Sequence, residues 1–76
     1  MITVKLYGLI RIESGIKEKQ LEATSVKEIL KILADYGIPK KDLQSCIILI
    51  NGKNGKKRSK LADGDTVVLM SPVAGG

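Results

Sequence analysis

A single amphipathic stripe governs what this chain can fold into. Val26, Ile29, Leu30 and Leu33 recur at i, i+3, i+4 and i+7, while Lys27, Glu28, Lys31 and Asp35 fall on the flanks or the outer face. Ser25 followed three residues later by Glu28 is a capping-box pattern, in which each side chain satisfies a free amide at the helix start. Gly37 stands where a left-handed C-terminal cap is expected, Ile38 closes over it, and Pro39 prevents continuation, so the spacing predicts a helix ending near Tyr36. One helix with one apolar face needs a sheet to cover.

The remaining apolar residues supply that sheet. Ile2, Val4 and Leu6 alternate with Thr3, Lys5 and Tyr7, the period of a strand buried on one face. Gly8 to Gly15 carries turn chemistry at both ends and Lys17 to Leu21 reads as a more polar second strand, which predicts an N-terminal hairpin with a long loop. Lys40 to Ser45 reads as a polar connection. Cys46 to Ile50 is a continuous apolar run of the kind a central strand buried on both faces shows, and Asn51-Gly52 ends it. Asp63-Gly64-Asp65 is a turn signature before a final strand, Thr66 to Met70. The expected fold class is α+β: a ββαββ roll with one helix across a sheet, mixed rather than antiparallel because the segment from the hairpin to Cys46 is long enough for a crossover.

Composition narrows the chemistry. A chain of 76 residues forms one domain and buries only about 60% of its unfolded surface. The domain is expected over residues 1–70, with an extended tail over 71–76. With no Trp and no Phe the core must be aliphatic, and one Cys forms no internal disulfide. Neither a signal segment nor a bilayer-length apolar run is present, so the expected compartment is the cytoplasm. With no His, no Walker glycine loop and no clustered ligands, the sequence offers no metal site and no bound cofactor.

The tail, Ser71-Pro72-Val73-Ala74-Gly75-Gly76, carries the chemical signal. Two terminal glycines leave a carboxylate on backbone without a Cβ, which threads a narrow active site, and Pro72 biases Ser71 toward extended conformations, so the tail projects. The plain alternative is a frayed end. Strand alternation puts Tyr7, Val68 and Met70 on the sheet face away from the helix, as the centre of a docking patch or as scattered surface hydrophobics. Cys46 opens an apolar strand and reads as a small buried hydrophobe before it reads as a relay thiol. Five of the thirteen basic residues, Lys53, Lys56, Lys57, Arg58 and Lys60, fall between Gly52 and Leu61. Without aromatic partners or a recognition helix they read first as a solvated loop, second as steering toward an acidic partner, and third as a nucleic-acid contact.

Three stretches resemble a known family. Tyr7-Gly8-Leu9-Ile10-Arg11 followed by Gly15 is similar to that family's pattern after the first strand. Leu61-Ala62-Asp63-Gly64-Asp65-Thr66-Val67 resembles its Leu-x-Asp-Gly-Asp-x-Val turn, and Pro72-Val73-Ala74-Gly75-Gly76 resembles its Pro-Val-x-Gly-Gly tail. These features resemble the MoaD/ThiS family of β-grasp, ubiquitin-like sulfur carriers, most closely the small subunits of molybdopterin synthase. Ser71 replaces the first of that family's two prolines, and Met70 stands where it often has Phe.

The resemblance implies that Gly76 is the reacting residue. Its carboxylate would be adenylated with ATP by an adenylyltransferase resembling ubiquitin-activating enzymes, then converted to a thiocarboxylate by a sulfur donor system. The sulfur would be passed to molybdopterin, for the molybdenum or tungsten cofactor, inside the larger catalytic subunit of the synthase. Pro72, Val73, Ala74 and Gly75 would be recognised as the tail, with Tyr7, Val68 and Met70 at the partner interface. The chain would be a cosubstrate rather than a catalyst alone, with ATP used by its partner. Sister roles share fold and tail: sulfur carriage for thiamin, cysteine or methionine synthesis, or protein modification through an isopeptide bond at Gly76.

Overall fold

The computed structural model describes residues 1–71; residues 72–76, and with them the expected extended tail, lie outside the described residues. Five strands and three helices follow one another as β1 (Ile2–Tyr7), α1 (Leu9–Ser14), β2 (Glu18–Leu21), α2 (Val26–Asp35), α3 (Lys40–Gln44), β3 (Ile47–Ile50), β4 (Lys53–Asn54) and β5 (Thr66–Met70). The strand order is β2-β1-β5-β3-β4, with β1 and β5 parallel and every other pair antiparallel. This is the expected mixed sheet in an α+β roll.

α2 forms where its pattern places it. Ser25 has extended backbone and its Oγ accepts from the Glu28 N–H at 3.3 Å. The return bond differs from the expected box. Glu28 accepts from the backbone N–H and the hydroxyl of Thr24, one residue earlier, beside a bridge between Ser25 and Lys60 in which the Val26 N–H donates to the Ser59 carbonyl. At the other end Gly37, at φ 99°, donates to the Ala34 carbonyl, and Ile38 donates to that of Leu33, the paired bonds of a Schellman cap. Ile38 is buried beside it. Val26, Ile29 and Leu33 have no exposed surface, and burying each contributes about 1.5–3 kcal/mol.

Among the described residues the core is aliphatic throughout, with thirteen buried residues drawn from every helix, from β1, β2, β3 and β5, and from Ile38 between α2 and α3. Lys19 takes an inward position on edge strand β2 and lays its ammonium 4.4 Å from the Tyr36 ring centroid, so its stem is covered while its charge stays at the rim.

Three further expectations need correction. The segment from Gly8 to Gly15 is not a hairpin loop but the helix α1, whose Ile10 plugs the core. The polar connection 40–45 winds into α3 and buries Leu43. Cys46 to Ile50 is not buried on both faces: β3 lies second from the edge, Ile48 is buried, and Ile47 is 47% exposed, because among the described residues no layer covers that face. The run is apolar on both sides for two separate reasons, core on one and open surface on the other. The Asn51-Gly52 step continues into β4 through a two-residue turn with φ of 51° and 83°, the all-positive conformation of a type I′ hairpin.

The Asp63-Gly64-Asp65 turn is a structural hub. Asp65 accepts from the Ala62 N–H at 2.8 Å and the Asn51 amide at 3.0 Å, and both bonds hold its carboxyl below the usual range. The Gly64 N–H donates to the Met1 carbonyl, the Asp65 carbonyl accepts from Thr3, and the Met1 ammonium pairs with Asp63. One turn thus fastens the start of β1, the Asn51-Gly52 hairpin and the start of β5.

Candidate functional site

The candidate site gathers where β5 delivers the chain toward residue 72. Because β1 and β5 run parallel, Tyr7 and Met70 pair at the same end of the sheet, and the antiparallel register of β3 adds Ile47 beside Met70. The next row on that face is Lys5, Val68 and Leu49. Tyr7 is 40% exposed, and Val68 and Met70 are half-buried. The structure therefore brings Tyr7, Val68 and Met70 onto one face, opposite the helices, as alternation implies. Ile47 and Leu49 extend the strip and were not among the sequence candidates. Their signal was alternation about the buried Ile48.

The chain exit is fastened by a contact between residues far apart in sequence. Ser71 follows β5, and its Oγ accepts from the Ile10 N–H of α1 at 2.9 Å while its own N–H donates to the Tyr7 carbonyl at 3.2 Å. Ser71 thus supplies the N-terminal cap that α1 lacks locally, since Gly8 in the cap position has no side chain. Gly8 makes the approach possible. It adopts φ 79°, ψ −152°, and a Cβ there would lie 3.2 Å from the Ser71 carbonyl oxygen. Arg11, one turn into α1, places its guanidinium 5.9 Å from the Tyr7 ring centroid, and Leu9 and Ile12 are exposed on the same helix. The rim of the exit is thus aromatic, aliphatic and cationic. Gly8, Ser71 and Arg11 gained these roles only through the fold.

Gly76, Pro72, Val73, Ala74 and Gly75 lie outside the described residues. Cys46 sits at the junction of α3 and β3, its thiol donating to the Asp42 carbonyl at 3.1 Å. Burial, with a smaller effect of the Asp42 carboxylate, pushes that thiol above its ordinary value and disfavours the thiolate. Lys53, Lys56, Lys57, Arg58 and Lys60 are all exposed. Among the described residues no three His, Cys, Asp or Glu side chains are grouped to hold a metal ion, and no helix is long and apolar enough to cross a membrane.

Comparison with known proteins gives one family and several structural neighbours. The model of the ThiS family matches residues 4–76. A chain of the complex of subunits 1 and 2 of molybdopterin-converting factor from Helicobacter pylori 26695 is 29% identical, with a TM-score of 0.75 over 99% of this chain and 97% of that one. The small archaeal modifier protein 1 of Methanosarcina acetivorans is 30% identical, with a TM-score of 0.79 over 99% of this chain and 95% of that one. SAMP1 from Haloferax volcanii, at 20% identity, gives a TM-score of 0.81 over 99% and 98% of the two chains, a likeness that bears on the fold alone. No curated protein matches.

Proposed function

The chain belongs to the ThiS family of ubiquitin-like β-grasp sulfur carriers, and on that premise we propose that it carries sulfur as a thiocarboxylate on Gly76 and donates it to molybdopterin synthesis. The observation that carries this reading is the reach of the family match, residues 4–76, which takes in the Gly75-Gly76 end as well as the folded domain. The pathway is supported by the 29% identical chain from the molybdopterin-converting factor complex.

A carboxylate is a poor electrophile, so the transfer requires activation. A Gly76 carboxylate oxygen attacks the α-phosphorus of ATP in an adenylyltransferase partner, and pyrophosphate leaves. A sulfide-level donor then adds to the acyl carbon and expels AMP, leaving the thiocarboxylate and releasing a proton. The folded chain contributes presentation: Ser71 and Gly8 fix where the tail leaves, and the strip of Tyr7, Ile47, Val68 and Met70 offers an apolar centre with Arg11 at its rim for the larger synthase subunit.

The 30% identity with an archaeal modifier protein favours one second reading, conjugation of Gly76 to lysine amines. Intact-mass spectrometry of protein from its native host separates the two. Sulfur carriage predicts the mass of one oxygen-for-sulfur exchange, localised to Gly76, in native protein and after reconstitution with the activating enzyme, ATP and a sulfur donor. Unchanged mass in both settings rejects it, and lysine adducts ending in this chain would establish conjugation.

A further inference from the structure

An open groove of about 500 Å³ runs between α2 and α3, on the helical side of the sheet and away from the strip around Met70. Its floor is apolar, formed by Leu30 and Ala34 on the flank of α2 and the buried Leu43 of α3. Around that floor stand four lysines: Lys27 and Lys31 from α2, Lys40 from the start of α3, and Lys57 from the loop after β4. Asp35 is the one carboxylate lining the groove among the described residues, and there none of the four ammonium groups is within ion-pair distance of an acid.

The spacing makes this more than a scatter of surface charge. Lys27 and Lys31 are four residues apart, as are Leu30 and Ala34, so a basic row and an apolar row lie side by side along the helix. From Lys27 to Ala34 the rows extend about 10 Å, two turns of helix. Four like charges around low-dielectric surface repel one another, and a ligand that brings carboxylates relieves that repulsion while covering the floor.

We propose that the groove between α2 and α3 docks a short acidic segment of a partner protein, one that lays one or two aliphatic side chains on Leu30, Ala34 and Leu43 and sets carboxylates against Lys27, Lys31, Lys40 and Lys57. This surface faces away from the strip beside the chain exit, so both are open to partners at once. The chain is then a two-sided adaptor, held by its helices while its tail is worked on from the sheet side.

The test is peptide display with the full chain as bait and a Leu30→Glu chain as counter-bait, with the enriched peptides then synthesised as probes. The proposal expects peptides rich in Asp and Glu with one or two aliphatic residues. Their binding should perturb the amide resonances of Leu30, Ala34 and Leu43 and weaken about tenfold or more in the double variant Lys31→Glu with Lys57→Glu, and also as salt is raised. Because Lys31 and Lys57 are exposed, that variant keeps the fold, which its amide spectrum verifies. Failure to enrich, neutral or basic peptides, equal binding to the double variant, or perturbation of Tyr7, Val68 and Met70 instead would overturn the proposal. So would an oligothymidylate that displaces the peptides and binds the Leu30→Glu chain undiminished, since the surface would then read polyanions without using its floor.

Discussion

Replacing Gly8 by alanine tests whether the chain exit is set by backbone geometry at the end of β1. At φ 79°, ψ −152° Gly8 occupies a region effectively reserved for glycine, where forcing another residue costs on the order of 1–3 kcal/mol. The added Cβ would also stand 3.2 Å from the Ser71 carbonyl oxygen and 3.3 Å from its Cβ. Relieving that crowding moves the end of β5 by a few tenths of an ångström and stretches the bond from the Ile10 N–H to the Ser71 hydroxyl. Losing a helix cap of this kind costs about 1 kcal/mol, which brings the expected total to about 3 kcal/mol. Gly37→Ala is the internal reference: its φ is 99°, yet nothing lies within 4 Å of its added Cβ, so only the left-handed penalty of about 1 kcal/mol applies. In a domain of this size each kcal/mol lowers Tm by about 4–8 °C, so calorimetry at pH 7 should find Gly8→Ala melting at least about 8 °C below Gly37→Ala. Equal melting temperatures would refute the reasoning, since neither the ψ of Gly8 nor its contact with Ser71 would then matter beyond the positive φ that the two glycines share.

Other outcomes follow from the same geometry. Met70→Glu and Ile47→Glu each place a carboxylate in the open strip and, under the proposed function, should weaken binding to a larger synthase subunit more than about tenfold while the fold persists, as calorimetric titration and amide spectra would show; unchanged affinity removes the strip from the proposed interface. Cys46, with its thiol held above its ordinary value, should be alkylated by iodoacetamide at pH 7 more slowly than free cysteine, and a rate equal to or faster than the free amino acid would contradict the burial argument. Glu28, bonded by Thr24, and Asp65, bonded by Ala62 and Asn51, bind protons less readily folded than unfolded. Their stabilisation is therefore full above the ordinary values of 4.5 and 3.8 and is lost as pH falls through the lowered ones. Acid melting curves should show a decline below about pH 4.5 that is shallower in Glu28→Gln and Asp65→Asn; parallel curves would remove both groups from the explanation.

What the sequence disclosed depended on how far apart the cooperating residues lie. The α2 stripe, its Ser25 cap and its Gly37 end are encoded within a dozen residues and appear as read, except that Glu28 turns to Thr24. α1 escaped because Gly8 and Gly15, which cap it, also look like turn glycines, and its N-terminal partner Ser71 is sixty-one positions away. In the sequence Ser71 stands as the first residue of the tail and as a departure from a pair of prolines; in the fold it is the cap of another helix. β3 misled because Ile47, Ile48, Leu49 and Ile50 are apolar at both parities, so nothing local distinguishes the core side from the open side. The strand order, which decides that Tyr7, Met70 and Ile47 meet, is a purely long-range property. The tail motif was the most legible functional signal, and residues 72–76 lie outside the described region.

The parallel pairing of β1 with β5 carries a consequence for how the molecule comes into being. Thr3 finds Thr66, and Tyr7 finds Met70, in the middle of the sheet, so the seam cannot close while the chain is still being synthesised short of β5. Until that moment β1 has only a polar edge strand for company, and two strands do not make a stable sheet. Truncated or stalled products would lack both a sealed interior and a fixed point of departure for the residues beyond Ser71. Pairing of β5 and the fixing of Ser71 against α1 thereby become the same event.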